Sequence, residues 1–131
     1  MQNLIIGLLL AIPLPVNAQA EVVPVVEVKP LEQMTIPELI EFYSIVYNVE
    51  NELVTKIIDC ESGFNPTIQS NYYKDGVREK SFGLAQINLP SHPNITYEQA
   101  VNPVFAVGFL ARNLSEGNGS MWRTCWNKHK S

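Results

Sequence analysis

Glu61 interrupts an apolar stripe. Leu53, Val54, Ile57 and Ile58 recur at helical spacing, and Glu61 follows Ile57 by four residues, so an acid falls on the face the helix turns inward. Gly63 supplies the left-handed residue that ends helices, and Asn65-Pro66 cannot continue one, which puts Glu61 in the last turn or at the cap. There the negative end of the helix dipole and the apolar surroundings both disfavour ionisation and push the carboxyl's pKa upward. A carboxyl protonated near neutral pH is the general acid that cleavage of a glycosidic bond requires. On the segment Cys60 to Pro66 alone, CESGFNP, the stronger reading is a Glu turned to solvent at a frayed helix end. About twenty residues later, Ser81 to Asn88 reads SFGLAQIN, a Gly-containing turn with polar side chains, and this second segment changes the balance.

Together the two segments resemble the lytic transglycosylases of the soluble-transglycosylase (SLT) family, which share the lysozyme-like fold. A Glu-Ser pair closes the catalytic helix in that family, and a Gly-Leu-Met-Gln-Ile turn follows. Here the pair is Glu61-Ser62 and the turn is Gly83-Leu84-Ala85-Gln86-Ile87, with Ala for Met as a departure. The similarity extends over residues 36–126. It implies that Glu61 is catalytic and that Gln86, with Ser62, Ser81, Ile87 and Asn88, lines the sugar site. Each has a plain alternative: Gln86 satisfying a loop carbonyl, Ser62 bonding backbone at a helix end. Tyr72, Tyr73 and Trp122 are candidates for stacking on sugar rings, against the commoner fate of packing in the core, which is also the expectation for Trp126. The family's third motif, an Ala-Tyr-Asn segment near the end, has no counterpart here; a tryptophan of Trp122-Arg123-Thr124-Cys125-Trp126 or Tyr97 takes its place, or the contact is missing.

The remaining reactive residues are few. The first twenty residues carry no charged side chain, hold an apolar run from Leu4 to Val16 too short to span a bilayer, and end in Ala18-Gln19-Ala20, a small-x-small pattern. They read as a secretory signal peptide lacking the usual basic start, so an exported protein is expected, in the periplasm, cell envelope or outside the cell. In such a chain Cys60 and Cys125, the only cysteines, pair most simply as a disulfide. The rival is a Cys60 nucleophile with His92 or His129 as base, but the flanking residues match no cysteine-enzyme signature and both histidines sit in polar contexts. No metal-ligand spacing is present, and no metal or other cofactor is implied. The formal charge of −4 disfavours nucleic acid as a partner and gives no electrostatic help on an anionic wall. Asn94, Asn113 and Asn118 begin Asn-x-Ser/Thr sequons, which matter only in a glycosylating host.

The elements that must position these residues follow from caps and periodicity. Residues 21–34, with prolines at 24 and 30 among valines, predict an extended linker. Thr35-Ile36-Pro37-Glu38 is a capping box opening a helix whose stripe is Leu39, Ile40, Phe42, Tyr43, Val46 and Tyr47; Asn48 ends it and can cap the next helix, which carries Glu61. After Pro66 a polar stretch turns at Asp75-Gly76 and predicts at most a short hairpin; by resemblance it walls the cleft. Thr96 with Gln99 opens a short helix, and Asn102-Pro103 opens a longer, largely apolar one closed by Gly117. A last short helix brings Trp122, Cys125 and Trp126 over the core. The fold class is mostly α, a small lysozyme-like α+β domain over residues 35–131 with a short hairpin or loop wall beside the catalytic helix.

The resemblance implies a lytic transglycosylase cutting the β-1,4 bond between N-acetylmuramic acid and N-acetylglucosamine in peptidoglycan, with 1,6-anhydromuramoyl ends. A monomer is expected, with no membrane span once the signal is cleaved; an uncleaved signal acting as a tether is the alternative. One carboxylate suffices when the substrate supplies the nucleophile. Hydrolysis generally needs a second about 5 to 9.5 Å away, for which Asp75 and Glu79 are placed; Asp59, two positions from Glu61 on a helix, faces elsewhere. A lysozyme-like muramidase is therefore the second reading, and a non-catalytic wall-binding module the third.

Overall fold

The computed structural model describes residues 23–25 and 27–130, so the expected signal segment lies outside the described residues. Residues 23–25 and 27–30 are exposed and without regular structure, as the prolines require, but the chain then makes a single 3-10 turn at Leu31–Gln33. Leu31 and Met34 pack against the core, and Lys29 pairs with Glu38 at 3.0 Å, so this end of the arm is held on the domain.

Helix α1 (Ile36–Tyr47) starts as its capping box dictates: Thr35 Oγ1 accepts from the Glu38 amide, and the Thr35 amide donates to Glu38 Oε1. Its inward stripe is narrower than expected. Leu39, Ile40 and Ser44 are buried with Tyr43 and Tyr47 at the margin, while Val46 faces solvent, 53% exposed. The helix is packed mainly on one side, most extensively against the later helix α4, and a single partner covers only part of its circumference. Asn48 takes the left-handed conformation, φ 53°, and closes α1; the cap of the next helix is Glu50, with no side-chain bond, rather than Asn48. Asparagine tolerates that conformation, and the reversal it makes leaves its side chain no place at the following N-terminus.

Helix α2 (Asn51–Ser62) buries Val54, Ile57, Ile58 and Ser62 and ends at Gly63, φ 59°, whose amide bonds the Asp59 carbonyl. Two short antiparallel pairs follow: β1 (Tyr73–Lys74) with β2 (Val77–Arg78), then β3 (Ser81–Phe82) with β4 (Ile87–Asn88). Asp75 and Gly76 both have positive φ, 52° and 79°, the two-residue reversal that suits a twisted hairpin. Helix α3 (Tyr97–Ala100) carries the Thr96/Gln99 capping box, and Asn102 caps α4 (Pro103–Ser115) through the Val104 amide. A 3-10 turn at Gly119–Trp122 leads into α5 (Arg123–His129). Leu39, Ile40, Val54, Ile57, Ile58, Leu84, Ile87, Val107 and Leu110 form the centre of one core, which contains residues of the Gly-containing turn as well as of the helices. The chain is mostly helical with two small sheets, a small α+β domain consistent with the lysozyme-like fold. Among the described residues no helix is long and apolar enough to cross a membrane.

Candidate active site

Glu61 reaches its place because the chain doubles back on itself beyond α2. After Gly63 the backbone stays left-handed at Phe64, φ 64°, and Asn65 Oδ1 accepts from the Thr67 amide, so the helix is followed by a tight reversal. The segment after Pro66 then runs antiparallel to the Gly-containing turn: the Gly83 amide bonds the Ile68 carbonyl and the Ser70 amide bonds the Ser81 carbonyl, each at 2.9 Å. Gly83, φ 82°, is required there. A β-carbon on it would run into the Ala100 carbonyl of α3 and lie 3.2 Å from the Pro66 carbonyl. Leu84, Ala85 and Ile87 are buried beside it, so the apolar half of the motif anchors the turn and the polar half is left facing Glu61.

The result is a cavity of about 320 Å³ lined by Glu61, residues 68–71, Glu79, Ser81, Gln86, Asn88, Met121 and Trp122. Burial, and next the negative charge of Glu79, push the Glu61 carboxyl up to about 7. No cation offsets them: the ion pairs among the described residues are Lys29–Glu38, Glu52–Lys56 and Arg112–Glu116, all away from the cavity. Gln86, itself left-handed at φ 46°, donates from Nε2 to the Gly83 and Ile68 carbonyls. Asn88 Nδ2 donates to Ser81 Oγ at 3.1 Å, and Trp122 Nε1 donates to the Ala85 carbonyl at 2.6 Å, which fixes the C-terminal turn over the motif.

Of the residues singled out from sequence, Glu61, Ser81, Gln86 and Asn88 therefore share one cavity. Ser62 does not line it; its hydroxyl donates to the Ile58 carbonyl, the backbone-bonding alternative. Ile87 is 2% exposed and serves as a core anchor, bordering only an adjoining cavity of about 160 Å³. Tyr73 stands on the hairpin, 57% exposed, and Tyr97 packs edge-on against Phe82; neither lines the cavity. Trp122 is both buried and at the cavity, while Trp126 is half-buried against the core. Cys60 and Cys125 are bridged, which removes the thiol nucleophile. Asp75 lies exposed in the hairpin turn and Asp59 on the outer side of α2, so Glu79 is the one of the three other acids that reaches the cavity. Ile68, Gln69, Ser70 and Asn71 also line the cavity, although in the sequence they belong to an undistinguished polar run, and Met121 of the C-terminal segment joins them.

A larger groove of about 540 Å³ runs between α1 and α4, lined by Tyr43, Tyr47, Phe105 and Phe109 among others. Volume alone does not make it the reactive site. The smaller cavity combines convergent polar groups with an acid whose proton is held near neutral pH, and these are what chemistry needs.

The family model described as the transglycosylase SLT domain matches residues 38–126, and the chain belongs to that family. No curated protein and no solved structure matches it. Membership supports a lytic-transglycosylase-like function related to peptidoglycan.

Proposed function

We propose that the protein is an exported lytic transglycosylase that cleaves the β-1,4 bond between N-acetylmuramic acid and N-acetylglucosamine in peptidoglycan. The observation that carries this is the half-buried Glu61 carboxyl, its pKa near 7, in one cavity with Ser81, Gln86 and Asn88. Glu61 gives its proton to the glycosidic oxygen as the bond from the muramoyl anomeric carbon breaks, and N-acetylglucosamine leaves with a free 4-hydroxyl. The Glu61 carboxylate then takes the proton of the muramoyl 6-hydroxyl as that oxygen bonds the anomeric carbon, which closes the 1,6-anhydro ring and restores the acid. Intramolecular attack has the advantage of high effective concentration, so no second protein carboxylate is required. Gln86, whose amide nitrogen is already committed to two carbonyls, offers its oxygen to a sugar hydroxyl or amide.

Glu79 in the same cavity is the one observation that favours hydrolysis by a two-carboxylate muramidase. Mass spectrometry of the fragments released from purified peptidoglycan separates the two. A transglycosylase yields muropeptides about 18 mass units lighter than the hydrolysed ones, because ring closure takes the place of water. Reducing-end products identify the hydrolase, and no release of fragments identifies a wall-binding module.

A further inference from the structure

Glu79 is more firmly held than a surface acid between two short strands needs to be. Ser70 Oγ donates to Glu79 Oε2 at 2.7 Å, and Asn88 Nδ2 reaches Oε1 at 3.5 Å. Its backbone is pinned as well: the amide donates to the Tyr72 carbonyl at 2.8 Å, and the carbonyl accepts from Gln69 Nε2 at 2.9 Å. Both side-chain anchors are donors, which suits an acceptor-only carboxylate, and both belong to residues that line the cavity of Glu61. One of them, Asn88, also bonds Ser81 Oγ in the motif strand. Of the two cations that flank Glu79 in sequence, Arg78 is spent on the Ser70 and Gln69 carbonyls and on Asn71 Oδ1, Lys80 is exposed, and neither makes an ion pair with Glu79 among the described residues.

We propose that Glu79 is the positioning residue of the acid: Ser70 and Asn88 hold its carboxylate in the cavity so that the Glu61 proton stays in place until a glycosidic oxygen takes it. This rests on Glu61 being the acid of the reaction proposed above. Geometry and electrostatics agree, since Glu79 is the charged group that raises the Glu61 pKa beyond what burial does. The other cavity-lining elements contribute no competing charge. The loop after α2 gives Ile68, Gln69, Ser70 and Asn71, the motif gives Ser81, Gln86 and Asn88, and the C-terminal turn gives Met121 and Trp122. Asp59 on α2, Lys80 beside β3 and Arg123 at the start of α5 are exposed outside the cavity. Glu79 thus does work in a transglycosylase without being the second carboxylate of a hydrolase.

The test is a pH titration of the Glu61 carboxyl carbon by 13C NMR in the whole protein, in wild type, Glu79→Gln and Glu79→Asp, with the pH dependence of peptidoglycan digestion measured alongside. Gln keeps the Ser70 bond and loses the charge; Asp keeps the charge. The Glu61 midpoint, near 7 in wild type, moves to lower pH in Glu79→Gln and stays nearer wild type in Glu79→Asp. The basic limb of the digestion profile moves with it, because the acid must be protonated to act. An unmoved midpoint in Glu79→Gln overturns the proposal, as does an equal movement in both variants, which a purely structural role would give. Loss of digestion at every pH in folded Glu79→Gln with the Glu61 midpoint unchanged also overturns it, and assigns Glu79 to direct chemistry. The NMR arm reads the Glu61–Glu79 coupling even if the wild-type protein digests nothing, so failure of the reaction assigned above is distinguishable from failure of this one.

Discussion

The half-buried Glu61 carboxyl costs stability where it is ionised, and that cost is measurable separately from turnover. Its folded pKa, about 7, lies above the ordinary glutamate value, so the folded state binds this proton more tightly than the unfolded chain does. The contribution is complete below the unfolded pKa, falls as pH rises toward 7, and is gone above it. Glu61→Gln removes the charge that burial penalises. It is expected to melt at or above the wild-type temperature at pH 8 and to lose that advantage near pH 4, while digestion falls by at least about a hundredfold, the lower end for loss of a general acid–base group. Near-normal digestion by the folded variant would falsify the assignment of Glu61. The acid was legible only from two segments together: at its own helix end the plainer reading is a solvated Glu, and the Gly83-Leu84-Ala85-Gln86-Ile87 turn changes the balance. Its partner's effect was not. Glu79 lies 18 residues further on, and only the hydrogen bonds of residues 68–70 to the turn show that the two share a cavity.

At the scale of elements, caps and turns carried most of the information. The Thr35, Thr96 and Asn102 caps, the Gly63 stop and the Asp75-Gly76 reversal all occur where residue chemistry places them, because each depends on neighbours three or four positions away at most. What local chemistry does not encode is which side of an element finds a partner. Val46 belongs to the periodic stripe of α1 yet stays in solvent, and Ile87 belongs to the polar-flanked motif yet sits in the core. Gly83 joins the two levels. Its positive φ is a local preference, but the carbonyl of Ala100 packed against it comes from an element 17 residues away. Gly83→Ala is accordingly expected to cost more than the roughly 1 kcal/mol of a strained turn residue alone, because backbone, not a flexible side chain, must yield. Thermal melts measure this, and digestion should fall too, since the turn carries Gln86. A melting temperature within a degree or two of wild type would show that the turn and α3 are not rigidly packed.

Across the whole molecule, helix α2 is tied to α5 by one covalent bond. Cys60, adjacent to Glu61 on α2, is bridged to Cys125 on α5, 65 positions further along the sequence, with their Cα atoms 5.9 Å apart. Such a bond fits an extracellular or periplasmic setting, where it persists. It also closes a loop that contains every residue of the motif strands and every residue lining the cavity. On the chain-entropy account, closing a loop of this length disfavours the unfolded chain by about 4 kcal/mol, a large share of what a domain this small can muster. Reduction is therefore expected to lower the melting temperature by roughly 15–30 °C. Below that transition Trp122 remains bonded to the Ala85 carbonyl and Ile57 and Ile58 remain in the core, so the reduced protein should still digest peptidoglycan when cold. The native protein should be about two mass units lighter than its reduced form and resist alkylation, since oxidation to the disulfide removes two thiol hydrogens. The decisive measurement is digestion against temperature for oxidised and reduced protein: two curves that coincide at low temperature and separate on warming place the bridge in stability. If both thiols of the native protein alkylate freely, or if reduction abolishes digestion with the fold intact, the bridge is not the staple described here.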